Sequence, residues 1–527
     1  MLTRRQFLIK SAQLVAGVGM GGALLGTAGC TGSSGAAASG PAWKDLAQRI
    51  SGPVLRPWSA GFAKLAQPNN LRYASKLPAG IARCVSANDA AQAIAWSREN
   101  DIRLAARSGG HSYAGYSSTE GLMMDLSLMN QADYDPSSGI VMIGGGIRNV
   151  DLYSALQAAE VTITHGRCPT VGGAAFLLGG GIGFNMRRFG LACDLMTETE
   201  LVTADGEILT LNQSDNSSLF WACRGGAGGN FGINTSFSLM TFPTDELTVF
   251  NIVWSDHLEE LYPALISALQ DAPPELGSRL ALSATAPEQF GANSKMTVTL
   301  LGQLVGTPGD LADILAPAYQ ASEPAQETIQ QMSYWDAQDN FLAEPGLPAR
   351  YQERSGFFTG PPDSAAIDAA FSWARNWPGT SASANFVLFQ TGEQVNAKAP
   401  DATAFVHRNS DWLMTIALDW GPADSPATVQ RNLEWQANFY QAMRKFTTGA
   451  YQNFPDPSLS TWQQDYYGAN LPMLEAIKAE VDPDRVFTFP QGIRPVPPTA
   501  TRATARNRIA ARTKFPPGDG WEIPRAA

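Results

Sequence analysis

The sequence predicts an α+β fold with more than one domain, and three observations support this. The chain has 527 residues, more than one hydrophobic core usually organises. Glycine (50 residues) and proline (34 residues) are both frequent, which favours a loop-rich mixture of helices and strands over a helical bundle. Helix-like and strand-like hydrophobic patterns alternate, and their character changes near residue 245. We therefore expect a first α+β region, followed by an antiparallel sheet with flanking helices.

The first forty residues have the pattern of an export signal. Arg4 and Arg5 precede Phe7 and Leu8, and a mildly apolar stretch rich in glycine and alanine follows. The twin-arginine translocase, which exports folded proteins, reads such a segment. A membrane anchor is the alternative, but the glycines lower the hydrophobicity and no charged stop-transfer flank follows. We expect residues 1–40 to be a signal peptide and the protein to be periplasmic or extracellular.

Two ways of processing this segment stay open. The sequence GTAGC, ending at Cys30, resembles a lipoprotein cleavage site and would give a lipid anchor, although Thr27 stands where leucine is usual; the alanines at 36–38 offer ordinary cleavage. The other cysteines show no CxxC spacing, so no zinc site is predicted. The sequence still allows one disulfide in an oxidising compartment. They are Cys84, Cys168, Cys193 and Cys223.

The charge distribution argues against a nucleic-acid partner. The formal net charge is -11, and no segment after residue 40 supplies the clustered lysines and arginines that binding to phosphate backbones needs. A hydrophobic fraction of 44% is ordinary for a globular enzyme. We expect a small-molecule substrate.

Strand and helix patterns are clear on both sides of residue 245. Residues 80–107 predict a strand, a helix beginning at an Asn-Asp cap, and a second strand that runs into a glycine loop. Further patterns predict a strand at 139–147, a helix at 151–161, a hairpin at 201–211 turning at Asp205-Gly206, and strands at 295–306, 384–392 and 411–420. We expect the later strands to form a sheet that covers a site.

Three glycine-rich loops point to a phosphate-bearing ligand. They read RSGGHS (107–112), VGGAAFLLGGGIG (171–183) and RGGAGGNFGI (224–233). Backbone N–H groups in such turns converge on phosphate because no Cβ blocks close approach. Neither the Walker pattern nor the GxGxxG dinucleotide turn is present. Tight turns without a ligand are the alternative for any one loop, but together the loops would surround a diphosphate joined to a ring system.

These loops and several other motifs resemble a known family. The motifs are RSGGHSYAG, GRCPTVGGAAFLLGGGIG, RRFGLACD, LVTADG, LFWACRGGAGGNFGI, TAFVHR and NFPDP followed by YYGAN. In order and spacing they are similar to those of berberine-bridge-enzyme-like flavoproteins of the vanillyl-alcohol-oxidase/PCMH superfamily, which includes carbohydrate oxidases. The resemblance implies a PCMH-type FAD-binding domain at 45–245, an inserted antiparallel-sheet substrate domain with flanking helices at 246–445, a C-terminal segment returning to the FAD domain at 446–500, and a tail at 501–527.

The resemblance also implies the cofactor and its attachment. In the family, the histidine and cysteine that correspond to His111 and Cys168 are bonded to the 8α-methyl and C6 of the flavin of FAD. A loop histidine bonded to backbone and a small buried hydrophobe are the alternatives. The other cofactor-binding residues implied are Arg107, Ser108, Gly109, Gly110, Ser112, Val171, Gly172, Gly180, Gly181, Gly183, Asn230, Gly232, Ile233, Tyr467 and Asn470.

The implied activity is that of an oxidase. Hydride would move from a hydroxyl-bearing carbon of a sugar or other alcohol to flavin N5, and O2 would reoxidise the flavin and yield H2O2. In the family a small residue three positions after the linking cysteine leaves oxygen access, and here it is Val171, which favours an oxidase over a dehydrogenase. Oxidative tailoring of a secondary metabolite and a flavin-carrying electron-transfer or binding protein are the alternatives.

The catalytic base is where this chain departs from its relatives. Many members carry tyrosine in an NYxD motif, whereas this chain reads NFPD with Phe454, and Ile182 replaces another tyrosine. We expect Tyr113 to take the catalytic role; the other candidates are Gln390, Glu393 and Tyr451. Four aromatic residues of the insert are candidates for stacking on substrate, with the core as the alternative. They are Trp335, Phe357, Phe358 and Phe386.

Overall fold

The computed structural model describes residues 42–285 and 296–496 and arranges their strands in successive sheets along the chain. The predicted signal peptide, with Cys30, and the predicted tail at 501–527 lie outside the described residues. None of the described helices is long and apolar enough to span a bilayer. The four cysteines within the described residues are unpaired, so they do not form the disulfide that the sequence allowed.

The first sheet contains the predicted strand-helix-strand unit. Its strands are β1 (Val54–Leu55), β2 (Gly80–Arg83), β3 (Leu104–Arg107) and β4 (Leu122–Asp125), in the order β1-β2-β4-β3. Strands β2 and β3 both pair in parallel with β4, joined by the helix Ala87–Glu99. The helix begins after Ser86, whose hydroxyl accepts from Asp89 N, so the predicted Asn-Asp cap was wrong. The Asp89 carboxylate accepts from the backbone N–H group of Val85, just before the helix, and from those of Ser51 and Gly52.

The second sheet is antiparallel and precedes the change in sequence character. The strands of this region are β5 (Ala132–Asp135), β6 (Ile140–Gly144), β7 (Val161–Thr162), β8 (Met196–Val202), β9 (Ile208–Asn212), β10 (Ile233–Met240) and β11 (Phe242–Pro243). The sheet order is β5-β6-β10-β8-β9, and β7 pairs separately with β11. The predicted hairpin is confirmed, since β8 and β9 pair across a turn where Gly206 has φ of 81°.

The third sheet confirms the antiparallel sheet predicted for the second region. Its strands are β12 (Glu246–Trp254), β13 (Leu276–Thr285), β14 (Met296–Leu304), β15 (Gln326–Ser333), β16 (Arg350–Phe358), β17 (Ser383–Gln390) and β18 (Trp412–Trp420). The order is β15-β12-β14-β13-β17-β18-β16, and every pairing is antiparallel. Leu280, Phe386 and Ile416 point to the face that the helices cover, where Phe386 packs on Phe439. The next residue on each strand points to the opposite face.

The helices connect these strands and cover the sheets. Their bounds are Trp43–Arg49, Phe62–Ala66, Ala87–Glu99, Asn149–Ala158, Gly173–Leu178, Met186–Phe189, Ser217–Ala222, Leu258–Gln270, Pro308–Ala321, Tyr334–Asp336, Ser364–Arg375, Pro426–Met443, Trp462–Tyr467 and Leu471–Val481. Leu258–Gln270, Ser364–Arg375 and Pro426–Met443 lie against the third sheet.

The C-terminal segment returns to the first part of the chain. The buried Lys478 ammonium donates to the carbonyls of Asn230 and Phe487 and pairs with Asp482, and Ile493 N donates to Asn230 Oδ1 at 2.9 Å. These contacts hold the third glycine loop (224–233) against the C-terminal segment. The described residues from Lys44 to Val496 form one compact unit, so the domain boundaries near 245 and 445 stay a prediction.

Candidate active site

A cavity of about 820 Å³ lies between the glycine loops and the third sheet. Its volume is in the range of roughly 300–1,000 Å³ usual for ligand pockets. We call residues 107–118 and 166–183 the loop floor, and we call the cavity-facing residues of β13, β16, β17 and β18 the sheet face. The two surfaces differ in the atoms that face the cavity: backbone forms much of the loop floor, whereas side chains form the sheet face.

Glycine is required where the two segments of the loop floor meet. Strand β3 ends at Arg107, and the chain then approaches residues 170–172 so closely that a Cβ on Gly109 would lie 2.2 Å from Gly172 N. A Cβ on Gly172 would lie equally close to Gly109 N. Gly110 has φ of 76°, a left-handed conformation that favours glycine. Backbone therefore packs directly on backbone here.

Most of the predicted cofactor residues line this cavity. Those that do are Ser108, Gly109, Gly110, His111, Ser112, Cys168, Val171, Gly172, Gly183, Gly232, Ile233 and Tyr467, together with the predicted catalytic residue Tyr113. The chain thus brings together positions that are more than 350 residues apart in sequence, from Ser108 to Tyr467.

Five predicted cofactor residues lie behind the cavity lining instead. They are Arg107, Gly180, Gly181, Asn230 and Asn470. The buried Arg107 guanidinium donates to the carbonyls of Leu65 and Ala66 and to the Ser118 hydroxyl, so it fixes the first loop from behind. The Asn470 amide donates to the carbonyls of Pro400 and Thr403, and the Asn230 amide donates to the Gly226 carbonyl. In this structure Arg107 and Asn230 support glycine-rich loops, whereas Asn470 supports the segment at 400–404.

His111 and Cys168 meet at one threonine hydroxyl. His111 Nε2 lies 2.9 Å from Thr170 Oγ1, and Cys168 Sγ lies 3.4 Å from the same oxygen. Burial, reinforced by nearby Arg148, lowers the pKa of His111 to about 4, and burial raises the pKa of the Cys168 thiol. Both side chains are therefore neutral at neutral pH.

Three orphaned hydroxyls show that the cavity fits a phosphate-bearing cofactor. Ser108 Oγ, Tyr116 OH and Ser117 Oγ are buried without a hydrogen-bond partner among the described residues, and all three residues line the cavity. A buried polar group without a partner is costly, so such groups indicate oxygen atoms of a ligand. With the glycine-rich backbone beside them, they suit the pyrophosphate of FAD, and His111 and Cys168 would hold its ring.

The sheet face carries most of the charge in the cavity. Its polar and charged members are Ser278, Arg279, Tyr351, Gln352, Glu353, Asn385, Gln390, Thr415 and Asp419. In the strand register Glu353 and Asn385 flank Ala417 from either side, and Asp419 lies opposite Tyr351. Burial raises the pKa of Glu353 to about 7 and that of Asp419 to about 6. A carboxyl group with a pKa near 7 is suited to act as a general base.

Sequence reasoning missed Glu353. It lies in the strand sequence RYQERSGFF, which contains no recognisable motif. The sequence feature that could have identified it is a charged residue within a strand of the sheet predicted to cover the site. Strand register then places it over the loop floor. Its electrostatic influence reaches Tyr113, whose pKa burial and Glu353 raise well above the ordinary value of a tyrosine.

Of the catalytic candidates that the sequence suggested, three line the cavity and one does not. Tyr113 is half-buried, with its ring centroid 5.1 Å from that of Tyr351 and 4.9 Å from that of Phe454. Gln390 and Tyr451 also line the cavity, and the Tyr451 hydroxyl accepts from Gly181 N. Glu393 does not line the cavity, because its half-exposed side chain is directed to Arg187 at 3.5 Å.

The four aromatic candidates for stacking on substrate belong to the core. Each is at most 5% exposed, and none lines the cavity. Trp335 stacks on His165, and Phe357 stacks on His407. The core alternative is therefore confirmed for Trp335, Phe357, Phe358 and Phe386.

Comparisons with known proteins agree with the fold and the cavity. Residues 78–212 match the model of an FAD binding domain, and residues 450–494 match the family described as berberine and berberine like. The chain is 31% identical over 429 residues to the FAD-linked oxidoreductase YgaK of Bacillus subtilis, covering 80% of this chain and 92% of that protein. It is 28% identical over 457 residues to glucooligosaccharide oxidase of Sarocladium strictum, covering 80% and 88%.

Solved structures show the same architecture. BBE-like 1 of Physcomitrella patens superposes with a TM-score of 0.77 at 26% identity, covering 86% of this chain and 99% of that one. Carbohydrate oxidase from Microdochium nivale, solved in complex with a substrate analogue, gives a TM-score of 0.75 at 26% identity and is covered completely. The loop floor, the orphaned hydroxyls and these similarities lead to one conclusion: the chain belongs to the berberine-bridge-like family of FAD-linked oxidoreductases, with a PCMH-type FAD-binding fold.

Proposed function

We propose that the protein oxidises a hydroxyl-bearing carbon of a sugar or related alcohol, using FAD attached through His111 and Cys168 and O2 as electron acceptor. The observation that carries the proposal is that Glu353, a half-buried carboxyl group with a raised pKa, shares one cavity with the two attachment residues. The relatives named glucooligosaccharide, carbohydrate and chitooligosaccharide oxidase support a carbohydrate substrate.

The cavity divides the chemical tasks between its two walls. When bound, FAD supplies the acceptor for the hydride of the substrate carbon. Glu353 removes the substrate hydroxyl proton, since its pKa of about 7 leaves it ionised for part of the time at neutral pH. Tyr113 keeps its own proton, because burial raises its pKa, and it orients the substrate by a hydrogen bond. Asn385 and Arg279 offer further donors to substrate oxygen atoms.

Covalent attachment suits an enzyme that leaves the cell. A cofactor lost after export to dilute surroundings is not replaced, and two bonds remove that problem. Attachment and fixed backbone dipoles raise the flavin potential and favour oxidation of alcohols, which are poor hydride donors. Val171 lines the cavity, and its small side chain supports access for O2 and release of H2O2.

The test is anaerobic mixing of the purified protein with a panel of sugars and aromatic alcohols. Bleaching of the flavin by a sugar, followed in air by one H2O2 for each oxidised product, is the expected result. A ring-closed or C–N-oxidised product instead would establish the tailoring alternative. A flavin that no small molecule reduces would overturn the proposal in favour of electron transfer or binding.

Export through the twin-arginine translocase belongs to the same proposal, on the pattern of Arg4 and Arg5. Replacing both arginines with lysine is expected to hold flavinylated protein in the cytoplasm. Fractionation of cells checks this, and unchanged export would contradict it. Labelling with a radioactive fatty acid distinguishes a lipid anchor at Cys30 from ordinary cleavage after the alanines.

A further inference from the structure

The Thr170 hydroxyl makes three polar contacts, which is its full capacity. Thr170 Oγ1 lies 2.9 Å from His111 Nε2, 3.4 Å from Cys168 Sγ and 3.2 Å from the Gly346 carbonyl oxygen. A hydroxyl has one proton to donate and two lone pairs to accept. The carbonyl of Gly346 only accepts, so all three contacts are used when Thr170 donates to Gly346 and accepts from His111 and Cys168.

This arrangement favours one tautomer of His111. With the Thr170 proton directed to the Gly346 carbonyl, Nε2 carries the ring proton and donates to Thr170, and the lone pair of the neutral ring lies on Nδ1. Within the described residues Nδ1 makes no hydrogen bond, and His111 lines the cavity. Burial keeps the ring neutral at neutral pH. Nδ1 is therefore a nucleophile available to a ligand in the cavity.

Gly346 is placed so that only glycine fits. A Cβ at this position would lie 2.5 Å from Cys168 Sγ and 2.6 Å from Thr170 Oγ1, and the residue has φ of 62°. Asn69 Nδ2 donates to the same carbonyl at 3.1 Å, which fixes its direction. The segment that carries Gly346 leads into β16, so the region of the third sheet helps to orient the attachment residues.

We propose that Thr170, oriented by the Gly346 carbonyl, is a positioning residue for covalent attachment of FAD. It presents His111 Nδ1 to the flavin methyl carbon and holds the Cys168 thiol at the same edge of the ring. Attachment at His111 breaks a C–H bond of the flavin methyl group and the imidazole N–H bond and forms a C–N bond. Attachment at Cys168 breaks a ring C–H bond and the thiol S–H bond and forms a C–S bond. Each attachment releases two protons and two electrons, and O2 takes up the protons and the electrons and becomes H2O2. The proposal rests on the double attachment proposed above.

The experiment follows attachment rather than turnover. Protein from riboflavin-limited cells is mixed with FAD in air, and the covalently bound fraction is measured with time by intact mass after denaturation. In a Cys168→Ala background this fraction reports the His111 bond alone. Thr170→Val is expected to slow attachment by about tenfold or more, the effect of one lost hydrogen bond in the reacting arrangement. Thr170→Ser keeps the hydroxyl and is expected to restore the rate.

Thr164→Val is the matched control. The buried Thr164 hydroxyl donates to the Gly190 carbonyl at 2.7 Å and lies in the same stretch of chain, but it does not contact His111 or Cys168. Its loss is expected to leave the attachment rate unchanged. Equal slowing by Thr164→Val, or failure of Thr170→Ser to restore the rate, would show a merely structural role and overturn the proposal.

Two further outcomes keep the two proposals apart. Wild-type protein without covalent FAD would overturn double attachment itself. Wild-type protein with covalent FAD, and Thr170→Val attaching it at the same rate, would overturn only the role of Thr170. If Thr170→Val does not fold, the ¹⁵N chemical shifts of His111 in flavin-free wild-type protein decide the question: a proton on Nε2 supports the proposal, and a proton on Nδ1 overturns it.

Discussion

The loop floor and the sheet face enclose one cavity but are built in opposite ways. In the loop floor, glycines let backbone approach backbone, as Gly109 and Gly172 do, and the functional side chains are few. In the sheet face, regular strands set the backbone and the alternation of side chains brings Arg279, Glu353 and Asp419 over the cavity. Changes in the loop floor are therefore expected to alter cofactor retention and stability, whereas changes in the sheet face are expected to alter the rate.

The largest expected effect concerns attachment at the loop floor. His111→Ala and Cys168→Ala are each expected to keep one covalent bond, and the double variant is expected to release all of its FAD. Acid denaturation followed by absorbance of the supernatant measures the released fraction. Free FAD in the supernatant of the wild-type protein would contradict the prediction. If one single variant released everything, only one bond would exist.

The corresponding test of the sheet face is Glu353→Gln. Loss of a general base is expected to slow anaerobic flavin reduction by roughly 10²–10⁴-fold, with covalent flavin content unchanged. In the wild-type protein the rate is expected to rise with pH and level off above about 7, because the base acts when ionised. Stopped-flow bleaching across pH measures both effects. A Glu353→Gln variant with the wild-type rate and the same inflection would place the base elsewhere. Asp419→Asn is the comparison variant: it is expected to keep the inflection but to move it to lower pH, because the Asp419 charge contributes to the raised pKa of Glu353.

The same variant separates catalysis from stability. The folded protein raises the pKa of Glu353 from 4.5 to about 7, so it binds that proton more tightly than the unfolded chain does. This contribution to stability is present below pH 4.5 and is lost as the pH rises through 7. Glu353→Gln is therefore expected to melt at a higher temperature than the wild-type protein at pH 8. Slower chemistry in a more stable protein is a result that general damage to the fold would not give.

Tyr113 lies where the loop floor meets the sheet face, and its hydroxyl is expected to matter less than Glu353. Tyr113→Phe keeps the ring contacts with Tyr351 and Phe454 and removes only the hydroxyl. Loss of one hydrogen-bond donor to the reacting substrate is expected to slow flavin reduction by about 10²-fold without change in flavin content. Rapid-mixing measurement decides this. Reduction at the wild-type rate would show that the hydroxyl takes no part in flavin reduction.

The smallest expected effect is on stability at the loop floor. Gly109→Ala would place a Cβ 2.2 Å from Gly172 N, and overpacking of this kind costs roughly 1–3 kcal/mol. Urea unfolding of the flavin-loaded protein measures it. Gly360→Ala is the control, since no atom lies within 4 Å of a Cβ there. Equal stability of the two variants would show that the loop contact is looser than the structure indicates.

The loop floor could be predicted from the sequence better than the sheet face for a physical reason. Glycines allow left-handed conformations and close backbone contacts, so glycine-rich loops can be recognised in the sequence. The roles of His111 and Cys168 are what the resemblance of these loops to a known family implies. The same local signals placed the hairpin at Asp205-Gly206 and the strands at 384–392 and 411–420. The start of the helix at Ala87 was predicted wrongly, although the local sequence carries the signal: Ser86 caps the helix, and Asp89, three residues later, accepts from Val85 N. The further contacts of Asp89 with Ser51 and Gly52 come from a distant segment.

The sequence by itself determined the α+β architecture and the glycine loops, because each depends on neighbours along the chain. The residues that would hold a cofactor are what the resemblance of these loops to a known family implies. Tertiary structure alone decided which side chains face the substrate. Glu353 and Asn385 lie on strands that never pair with each other, and they flank one cavity only because β18 lies between those strands. Tertiary structure also placed the Arg107 side chain behind the first glycine loop, directed Asn470 to the carbonyl of Pro400, and placed the Gly346 carbonyl next to Thr170. Such contacts between distant segments follow from packing and strand register rather than from local sequence.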